Sequence, residues 1–172
     1  MDFGICIATD ISDVGIVRHA ENLGYRDAWI PDSQMIWSDC YAYLALAAQQ
    51  TSQIRLGTGV AITGTRIAPV TAHSIATINR LAPGRTFLGI GTGNTAQRLM
   101  GQRPVKYAAY AEYLRVVRAL LDGEEVDYEQ DGHRFPVRFD RSGPGCINLE
   151  DHIPIHVSGF YARTHRLAGQ FG

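Results

Sequence analysis

Small and polar residues that suit ligand binding collect where one apolar run ends. The run RTFLGIGTGN, residues 85–94, lacks a side chain at three alternate positions before it turns polar. Glycine lets a backbone approach a ligand closely, and free amides at a strand end or a helix start hold an anion. We therefore treat the end of this run as a candidate ligand loop. Its residues are Gly91, Thr92, Gly93 and Asn94.

The loop satisfies G-x-G-x-x-A, a weak signal for dinucleotide binding, but its context argues against that function. A dinucleotide fingerprint follows the first strand of its sheet and is answered by an acid about 20 residues later. Here the pattern follows the fourth predicted strand, and Val116 stands where the acid is needed. A glycine corner that only permits tight packing of strand on helix stays open as the alternative.

A second strand end carries a different set of polar residues. After AWIP, the side chains of Asp32, Ser33 and Trp37 bring a carboxylate, a hydroxyl and an indole to the edge where the glycine loop ends. Ligands bind at the carboxyl ends of parallel strands, which favours one shared site. The alternative for Asp32 is that it caps a helix or a loop.

The run IRLGTGVAI has an almost bare face if it is a strand. Gly57, Gly59 and Ala61 are two residues apart, so an unbroken strand points all three to one side. Glycine inside a strand costs stability, which indicates close approach by something bulky such as a flat ring. A bulge or the bend of a barrel explains the pattern equally well.

The net charge of −1 conceals an uneven distribution. No Asp or Glu lies between Cys40 and Ala111, so a local positive potential there could hold an anion. Arg66 follows the third strand and could meet a phosphate, whereas we expect His73 to be a helix-surface or packing residue. Solvated helix faces are the alternative for most of these cations. The seven basic residues are Arg55, Arg66, Arg80, Arg85, Arg98, Arg103 and Lys106.

Several classes of function find no support. The sequence has no G-x-S-x-G or HExxH motif, and His152 and His156 would lie ~13 Å apart on a strand, so we expect neither a hydrolase nor a metal site. The three cysteines are widely spaced, which suits reduced thiols in the cytoplasm. No apolar stretch approaches ~18 residues and no basic leader precedes the first one. We expect a cytoplasmic protein with no membrane partner and no nucleic-acid partner.

Alternating strands and helices must position these residues. FGICIA predicts the first strand, and Ser12 is the predicted N-cap of the first helix. That helix is expected to carry Ile16, Ala20 and Leu23 on one face and to stop at Gly24.

The same alternation continues along the chain. RDAWIP predicts a second strand, and Asp39 is expected to cap a helix that ends near Thr51. After the third strand, Pro69 opens a helix that ends near Pro83. RTFLGIG is the fourth strand, and a helix follows Pro104. The inward residues of the last two helices are Ile75, Ile78, Tyr110, Leu114, Val117 and Leu121.

Residues 124–150 interrupt this rhythm with a predicted hairpin. EVDYEQ and HRFPVRF flank the pair Asp131-Gly132, which predicts a tight turn. IPIHVS then restores a fifth strand, and YARTHRLAGQF predicts a fifth helix.

Two α/β folds fit this order of elements. Apolar strands that alternate with helices indicate a parallel sheet covered on both faces. A five-stranded doubly wound sheet fits 172 residues, whereas a (β/α)8 barrel needs ~250 and would be only partly present. Length alone favours the doubly wound sheet.

Taken together, the motifs resemble the bacterial luciferase-like superfamily of flavin- and deazaflavin-dependent oxidoreductases. AWIPDS, IRLGTGVAITGTRIAPV, RTFLGIGTGN, LLDGEEVDYEQDG, PIHVSG and HRLAGQFG carry the resemblance in this order, over nearly the whole chain. It implies a (β/α)8 TIM barrel whose carboxyl face holds coenzyme F-420, the favoured cofactor, or FMN. Residues 1–172 would then form one luciferase-like domain, the N-terminal part of such a barrel.

The resemblance also assigns residues to the coenzyme. It places a cis peptide bond at Gly59-Val60, behind the ring, and the phosphate-bearing tail near Ser158-Gly159. The coenzyme-binding residues it implies are Asp32, Ser33, Trp37, Gly59, Val60, Ala61, Gly91, Thr92, Gly93, Asn94, Ser158 and Gly159. The catalytic candidates among them are Ser33, Trp37 and Asn94.

Two departures from the family pattern shape the expected function. Ser33 and Asn94 stand where a similar sugar-phosphate dehydrogenase has a His and a Glu, so that substrate is not expected. The family also continues for about another half-barrel after HRLAGQFG. We therefore expect a fragment, or a chain completed by a partner such as a second copy in a homodimer. The expected activity is hydride transfer, or oxygen activation with FMN, on a small organic substrate. A flavin-binding protein without catalysis and a doubly wound phosphate-ligand-binding domain are the alternatives.

Overall fold

Five parallel strands form the main sheet of the computed structural model, which describes residues 1–130, 132–140, 142 and 144–172. The strands and helices that build the sheet and cover it are β1 (Gly4–Cys6), α1 (Gly15–Asn22), β2 (Asp27–Ile30), α2 (Cys40–Gln50), β3 (Arg55–Ile62), α3 (Ala68–Leu81), β4 (Thr86–Gly91), α4 (Asn94–Leu99), α5 (Tyr107–Leu121), β7 (Ile155–Val157) and α6 (Ala162–Phe171). A separate antiparallel hairpin pairs β5 (Val126–Gln130) with β6 (His133–Val137). None of the helices in these ranges is long and apolar enough to cross a membrane.

The strand order decides between the two folds. The sheet runs β1-β2-β3-β4-β7, so consecutive strands of the sheet are always neighbours and the order never reverses. A doubly wound sheet requires a reversal, because its ligand site lies at that switch point. A strictly sequential parallel order is the order of a barrel wall. The doubly wound alternative is therefore wrong.

The two faces of the sheet have different contents. Ala28, Ile30, Leu56, Leu88 and Ile155 point to one side and join the side chains of α1, α2, α3, α5 and α6 in the hydrophobic core. The intervening strand residues point to the other side, which we call the inner face. The sequence predicted cover on both faces, but among the described residues this helix-side core takes side chains from one face only. The inner face is instead filled by the chain's own rings and by glycine.

Most helix boundaries follow the predicted signals. The Asp39 carboxylate accepts hydrogen bonds of 3.0 Å from the amides of Tyr41 and Ala42, so it caps α2 as expected. Gly24 follows α1 with φ +83, and Pro69 stands in the first turn of α3. The predicted inward residues of α3 and α5 are all buried.

The start of α1 was predicted wrongly. The helix begins at Gly15, and Ser12 lies in a preceding turn where its amide donates to the Asp10 carboxylate at 2.9 Å. Ser12 therefore caps nothing. Of the three residues expected on one face of this helix, Ala20 is buried, whereas Ile16 is 38% exposed and Leu23 is 64% exposed.

The predicted hairpin is present within residues 124–150. Val126 pairs with Val137, and Gln130 pairs with His133. Gly132, in the turn, has φ +78, a conformation that favours glycine. Asp131, the other half of the predicted turn pair, lies outside the described residues.

A bulge in β3 changes which side its residues face. Thr58 pairs with Leu88 and Ala61 pairs with Ile90, so two residues of β3, Gly59 and Val60, oppose the single residue Gly89. The extra residue moves Ala61 to the helix side, where it is 2% exposed in the core. The prediction that Ala61 shares a face with Gly57 and Gly59 is therefore wrong. The Gly59-Val60 peptide bond is cis, as the resemblance implied.

Gly57 is required by two rings of the protein itself. Trp29 and Phe87 are its partners on the neighbouring strands, and their ring centroids lie 4.4 Å apart. Neighbouring strands are only ~4.8 Å apart, so these two side chains meet across the middle strand only if it carries no side chain. A β-carbon at Gly57 would overlap the Phe87 ring and its carbonyl oxygen. A flat ring does lie on the bare face, and it belongs to the chain.

We expect Gly57→Ala to lower the free energy of unfolding by ~1–3 kcal/mol or more, because the buried Phe87 has no space into which to move. Gly169→Ala is the matched control, since a β-carbon there meets no atom within 4 Å. In the helix α6 this change should stabilise by ~0.5–1 kcal/mol. Urea unfolding of both variants tests the packing, and equal stability of the two would contradict it.

Candidate functional site

The segments that follow the parallel strands form one rim. Residues 32–37 follow β2, residues 63–66 follow β3, residues 92–94 follow β4 and residues 158–159 follow β7. Because the strands are parallel, their carboxyl ends meet at the same edge of the sheet. The structure therefore brings the predicted coenzyme-binding segments after β2, β4 and β7 to one edge, whereas Ala61, also predicted to bind the coenzyme, lies in the helix-side core. Their contact with a coenzyme stays a prediction.

Gly91 keeps a gap open on the inner face below this rim. A β-carbon at position 91 would lie 3.0 Å from Cγ2 of Val60 and 3.1 Å from Cβ of Ser158. These distances are tighter than ordinary van der Waals contact, so glycine preserves the space between Val60 of β3 and Ser158, which follows β7. Three of the predicted residues therefore line this gap.

The other two glycines of the run RTFLGIGTGN, Gly89 and Gly93, are explained by contacts within the chain. A β-carbon at Gly89 would overlap the carbonyl oxygen of Thr58, and one at Gly93 would overlap the Ile62 side chain. Gly93 also has φ +67 and is the N-cap of α4. Both glycines are thus required by packing against β3, and contact of Gly93 with a coenzyme stays a prediction.

Asn94 lies in a helix that the sequence pattern did not predict. It is the first residue of α4, a six-residue helix, and it is exposed at the rim beside half-buried Thr92. A helix of six residues is too short to show a helical period of apolar residues, so periodicity could not predict α4.

Asp32 is a structural ion-pair partner in the rim. Its side chain is 2% exposed, and Oδ2 accepts from Nη1 of Arg66 at 2.7 Å and from the Ile62 amide at 3.2 Å. Oδ1 accepts from the side-chain amide of Gln34. Asp32 therefore joins the segment after β2 to the end of β3. These contacts hold both carboxylate oxygens within the chain itself.

Arg66 is held on several sides. Its Nη2 lies 2.8 Å from Asp39 Oδ2, and its guanidinium lies 4.7 Å from the centre of the Tyr41 ring. Burial would lower the pKa of Arg66, but the neighbouring Asp32 carboxylate raises it above its ordinary value. The carbonyl of Arg66 accepts a 2.9 Å hydrogen bond from the Tyr113 hydroxyl. These contacts commit Arg66 to the rim and leave little of it for a ligand phosphate.

Buried groups around this ion pair stay uncharged. Burial raises the pKa of Tyr113 to about 12, and its hydroxyl shares a 2.6 Å hydrogen bond with Thr71. Burial, followed by the Asp32 charge, raises the pKa of the Cys40 thiol well above its ordinary value. Cys40 is therefore an inert core residue at neutral pH.

The predicted positive region is reduced by internal contacts. Arg55 pairs with Asp27 at 2.8 Å, and Arg85 donates to the carbonyl of Ile54 at 2.8 Å. With Arg66, three of the seven cations are thus occupied within the chain. The four exposed ones are Arg80, Arg98, Arg103 and Lys106. His73 is exposed on α3, as predicted.

Ser33 and Trp37 occupy the turn that follows β2. The Ser33 carbonyl accepts 3.2 Å hydrogen bonds from the amides of Ile36 and Trp37. Met35, between them, has φ +66, and the Trp37 side chain is 41% exposed. The turn therefore presents the indole at the rim.

Three buried polar atoms at the rim lack a hydrogen-bond partner among the described residues. They are Oε1 of Gln34, Oγ1 of Thr63 and Nε2 of Gln97. One follows β2, one follows β3 and one lies in α4. An unsatisfied buried polar group costs ~1–3 kcal/mol, so this edge is suited to a polar ligand or water. Thr63 and Gln97 were missed by sequence reasoning, since only burial distinguishes them from other polar loop residues.

The inner face below the rim carries an aromatic layer. Trp29 lies 4.4 Å from Phe87 and 5.1 Å from the imidazole of His156, measured between ring centroids. Partial burial, followed by the positive charge of Arg55, lowers the pKa of His156 below its ordinary value. At neutral pH this layer carries an uncharged imidazole.

The cavities found among the described residues lie away from this rim. One of about 440 Å³ lies between His73 on α3 and the segment that contains Phe139, Ile147 and Leu149. It is on the helix side of the sheet.

A family profile of luciferase-like monooxygenases matches residues 3–172. The chain belongs to this family. The luciferase-like chain is 34% identical over 177 residues to a 5,10-methylenetetrahydromethanopterin reductase of Methanolobus tindarius, covering 99% of this chain and 52% of the relative. It is 32% identical to an F420-dependent hydroxymycolic acid dehydrogenase of Mycobacterium tuberculosis, covering 92% of this chain and 46% of the relative. The chain thus spans about half the length of these relatives.

Solved structures agree with the luciferase-like fold. The coenzyme F420 dependent tetrahydromethanopterin reductase of Methanopyrus kandleri superposes with a TM-score of 0.78 at 26% identity, over 98% of this chain and 53% of that one. An F420-dependent secondary alcohol dehydrogenase gives a TM-score of 0.79 at 20% identity, over 99% of this chain and 56% of that one, which shows the fold alone. The five βα units are therefore part of a luciferase-like barrel.

Arg66→Met should lower the free energy of unfolding by ~3–5 kcal/mol, because it leaves the buried Asp32 carboxylate without its cation. Adding Asp32→Asn should recover part of this loss. Arg26→Met is the control, since the pair of Arg26 with Asp2 is exposed and should contribute less than ~1 kcal/mol. Chemical denaturation measures all three, and equal losses for Arg66→Met and Arg26→Met would contradict the structural role.

The lowered pKa of His156 predicts a pH dependence of stability. His156 binds a proton more readily in the unfolded chain than in the folded one. The contribution of the neutral His156 to the free energy of unfolding is therefore fully present above the ordinary pKa of ~6.5. It is lost as the pH falls through the lower folded value. His156→Gln should therefore lose less stability than the wild type between about pH 7 and about pH 5. Urea unfolding of both proteins at several pH values measures this difference. An equal fall of the unfolding midpoint in wild type and His156→Gln over this range would contradict the prediction.

Proposed function

We propose that the rim and inner face form part of the coenzyme site of an F-420-dependent oxidoreductase that acts on a small organic molecule. The observation that carries this proposal is the gap kept open at Gly91 between Val60 and Ser158. It lies at the carboxyl ends of the strands, where ligands bind in such sheets. Relatives named as F420-dependent enzymes, at 32% and 29% identity, support F-420 as the coenzyme.

The residues present fit a planar coenzyme. The backbone of Gly59 and Val60 is half-buried on the inner face, so a ring can approach it without meeting a large side chain at Gly91. The unsatisfied atoms of Gln34, Thr63 and Gln97 supply polar partners at the rim. Ser158 and Gly159 would hold the phosphate-bearing tail at the end of β7.

F-420, when bound, would supply the hydride chemistry, and the chain would supply position and electrostatics. Val60 and Ser158 would bound the ring on either side of Gly91. The Trp37 indole would exclude water above it, since it is presented at the rim. Ser33 and Asn94 would orient the substrate by hydrogen bonds, because neither side chain exchanges a proton near neutral pH.

We further propose that additional strands complete the barrel, supplied by a longer chain or by a partner such as a second copy. Among the described strands, β1 pairs only with β2 and β7 pairs only with β4. Unpaired strand edges promote association with other chains. The spacing of Cys6, Cys40 and Cys146, which are all free, supports a reducing cytoplasmic setting.

Titration of the protein with F-420, and separately with FMN, tests the proposed site. We expect saturable quenching of F-420 fluorescence and weaker binding of FMN. Gly91→Ala should weaken F-420 binding about tenfold or more, because its methyl group closes the gap between Val60 and Ser158. Gly169→Ala, on the outer helix α6, is the matched control and should bind as the wild type does.

The possible outcomes separate the alternatives. Tighter binding of FMN would favour a flavin enzyme of the same family over an F-420 enzyme. Binding that Gly91→Ala does not weaken would place the coenzyme elsewhere. Saturable binding without turnover of any organic substrate would favour a coenzyme-binding protein without catalysis, consistent with the neutral Ser33 and Asn94.

A further inference from the structure

The ring layer on the inner face has a connected structure. The Phe87 ring is fully buried, and it meets the edge of His156 at 5.4 Å and an interplanar angle of 82°. The Arg55 guanidinium lies 5.4 Å from the centre of the Phe87 ring and is itself held by Asp27 at 2.8 Å. Trp29 packs against both Phe87 and His156. The Trp29 indole is therefore supported by a connected set of side chains from β2, β3, β4 and β7.

Trp29 also contacts the part of β3 that faces the proposed site. A β-carbon on Gly59 would lie 2.7 Å from Cβ of Trp29, and one on Gly89 would lie 3.1 Å from Cζ3 of the indole. Trp29 thus reaches both Gly59, which precedes Val60 in the β3 bulge, and Gly89 of β4. Trp29 therefore lies close to the positions that side chains at Gly59 and Gly89 would occupy, through its β-carbon at the first and its indole at the second.

We propose that Trp29 is a positioning residue that fixes the floor of the coenzyme pocket and supports the Gly59-Val60 backbone from below. The inference rests on the proposed function, since it concerns how deep the coenzyme ring lies. Trp29 is only half-buried, so one side of it remains free toward the open inner face. A planar ring that enters past Gly91 would meet this layer and go no deeper. Phe87 holds the indole in place.

The test compares F-420 affinity in variants of the floor and of the helix-side core. Trp29→Leu removes the indole and should raise the Kd about tenfold or more, since aromatic contacts and the shape of the pocket are both lost. Trp29→Phe keeps a ring over Gly57 and should stay within about threefold of the wild type. Phe87→Leu, which loosens the indole without touching the coenzyme, should give an intermediate Kd and keeps the test informative if Trp29→Leu does not fold.

A control and a second readout separate positioning from stability. Ile75→Val lies in the fully buried helix-side core and should lower the melting temperature without changing the Kd. The absorption maximum of bound F-420 should shift in Trp29→Leu, because water reaches the ring from below, and remain unchanged in Ile75→Val.

Each result decides a different point. A wild-type Kd and spectrum in both Trp29→Leu and Phe87→Leu would overturn the positioning role while leaving the coenzyme site intact. An equal rise of the Kd in Ile75→Val would also overturn it, since general destabilisation would then explain the effect. Failure of the wild-type protein to bind F-420 or FMN would overturn the proposed function, and the positioning role with it.

Discussion

The contact of Trp29 with Phe87 across Gly57 is the constraint on which the inner face depends. Two rings from strands on either side of β3 meet at 4.4 Å, which is possible only because the middle strand has no side chain at that point. The layer they form fills the lower part of the inner face. In the proposed site, the coenzyme would therefore lie in the upper part, near the carboxyl ends of the strands.

The bulge in β3 separates these two levels. Below it, Gly57 lies under the rings, and above it, Ile62 pairs with Gly91 at the rim. Because two residues oppose Gly89, the backbone of Gly59 and Val60 departs from the regular pleat and faces the gap at Gly91. The buried pair of Asp32 with Arg66 then fixes the segment after β2 against the end of β3. In the proposed site, the packing of Trp29 on Phe87 would limit how deep a ligand lies, and the ion pair of Asp32 with Arg66 would fix the position of the rim.

Local signals in the sequence predicted the elements well, and the failures have physical causes. Asp39 acts through its own side chain, and Gly24 and Pro69 act through their own backbone geometry, so their roles could be inferred without tertiary contacts. The prediction for Ser12 failed because α1 begins three residues later, at Gly15, with Val14 at the N-cap position. Ala61 failed because the bulge shifts its side, and a strand pattern with a period of two cannot reveal an inserted residue.

The candidate site could be predicted only in outline. The glycines signalled close approach, but the sequence could not show that Trp29 and Phe87, rather than a ligand, cover Gly57. Asp32 and Arg66 are 34 residues apart, and their pairing depends on the fold. Thr63 and Gln97 are ordinary polar residues until burial removes their partners. The expectation of F-420 as the coenzyme came from the family resemblance rather than from the chemistry of individual residues.

A crystal structure of the protein with F-420 would show where the coenzyme ring lies. We expect the deazaflavin ring above Trp29, against the backbone of Gly59 and Val60, with Gly91 at its edge and its tail toward Ser158. Density for the coenzyme on the helix side of the sheet, or an inner face that stays empty at saturating F-420, would contradict it.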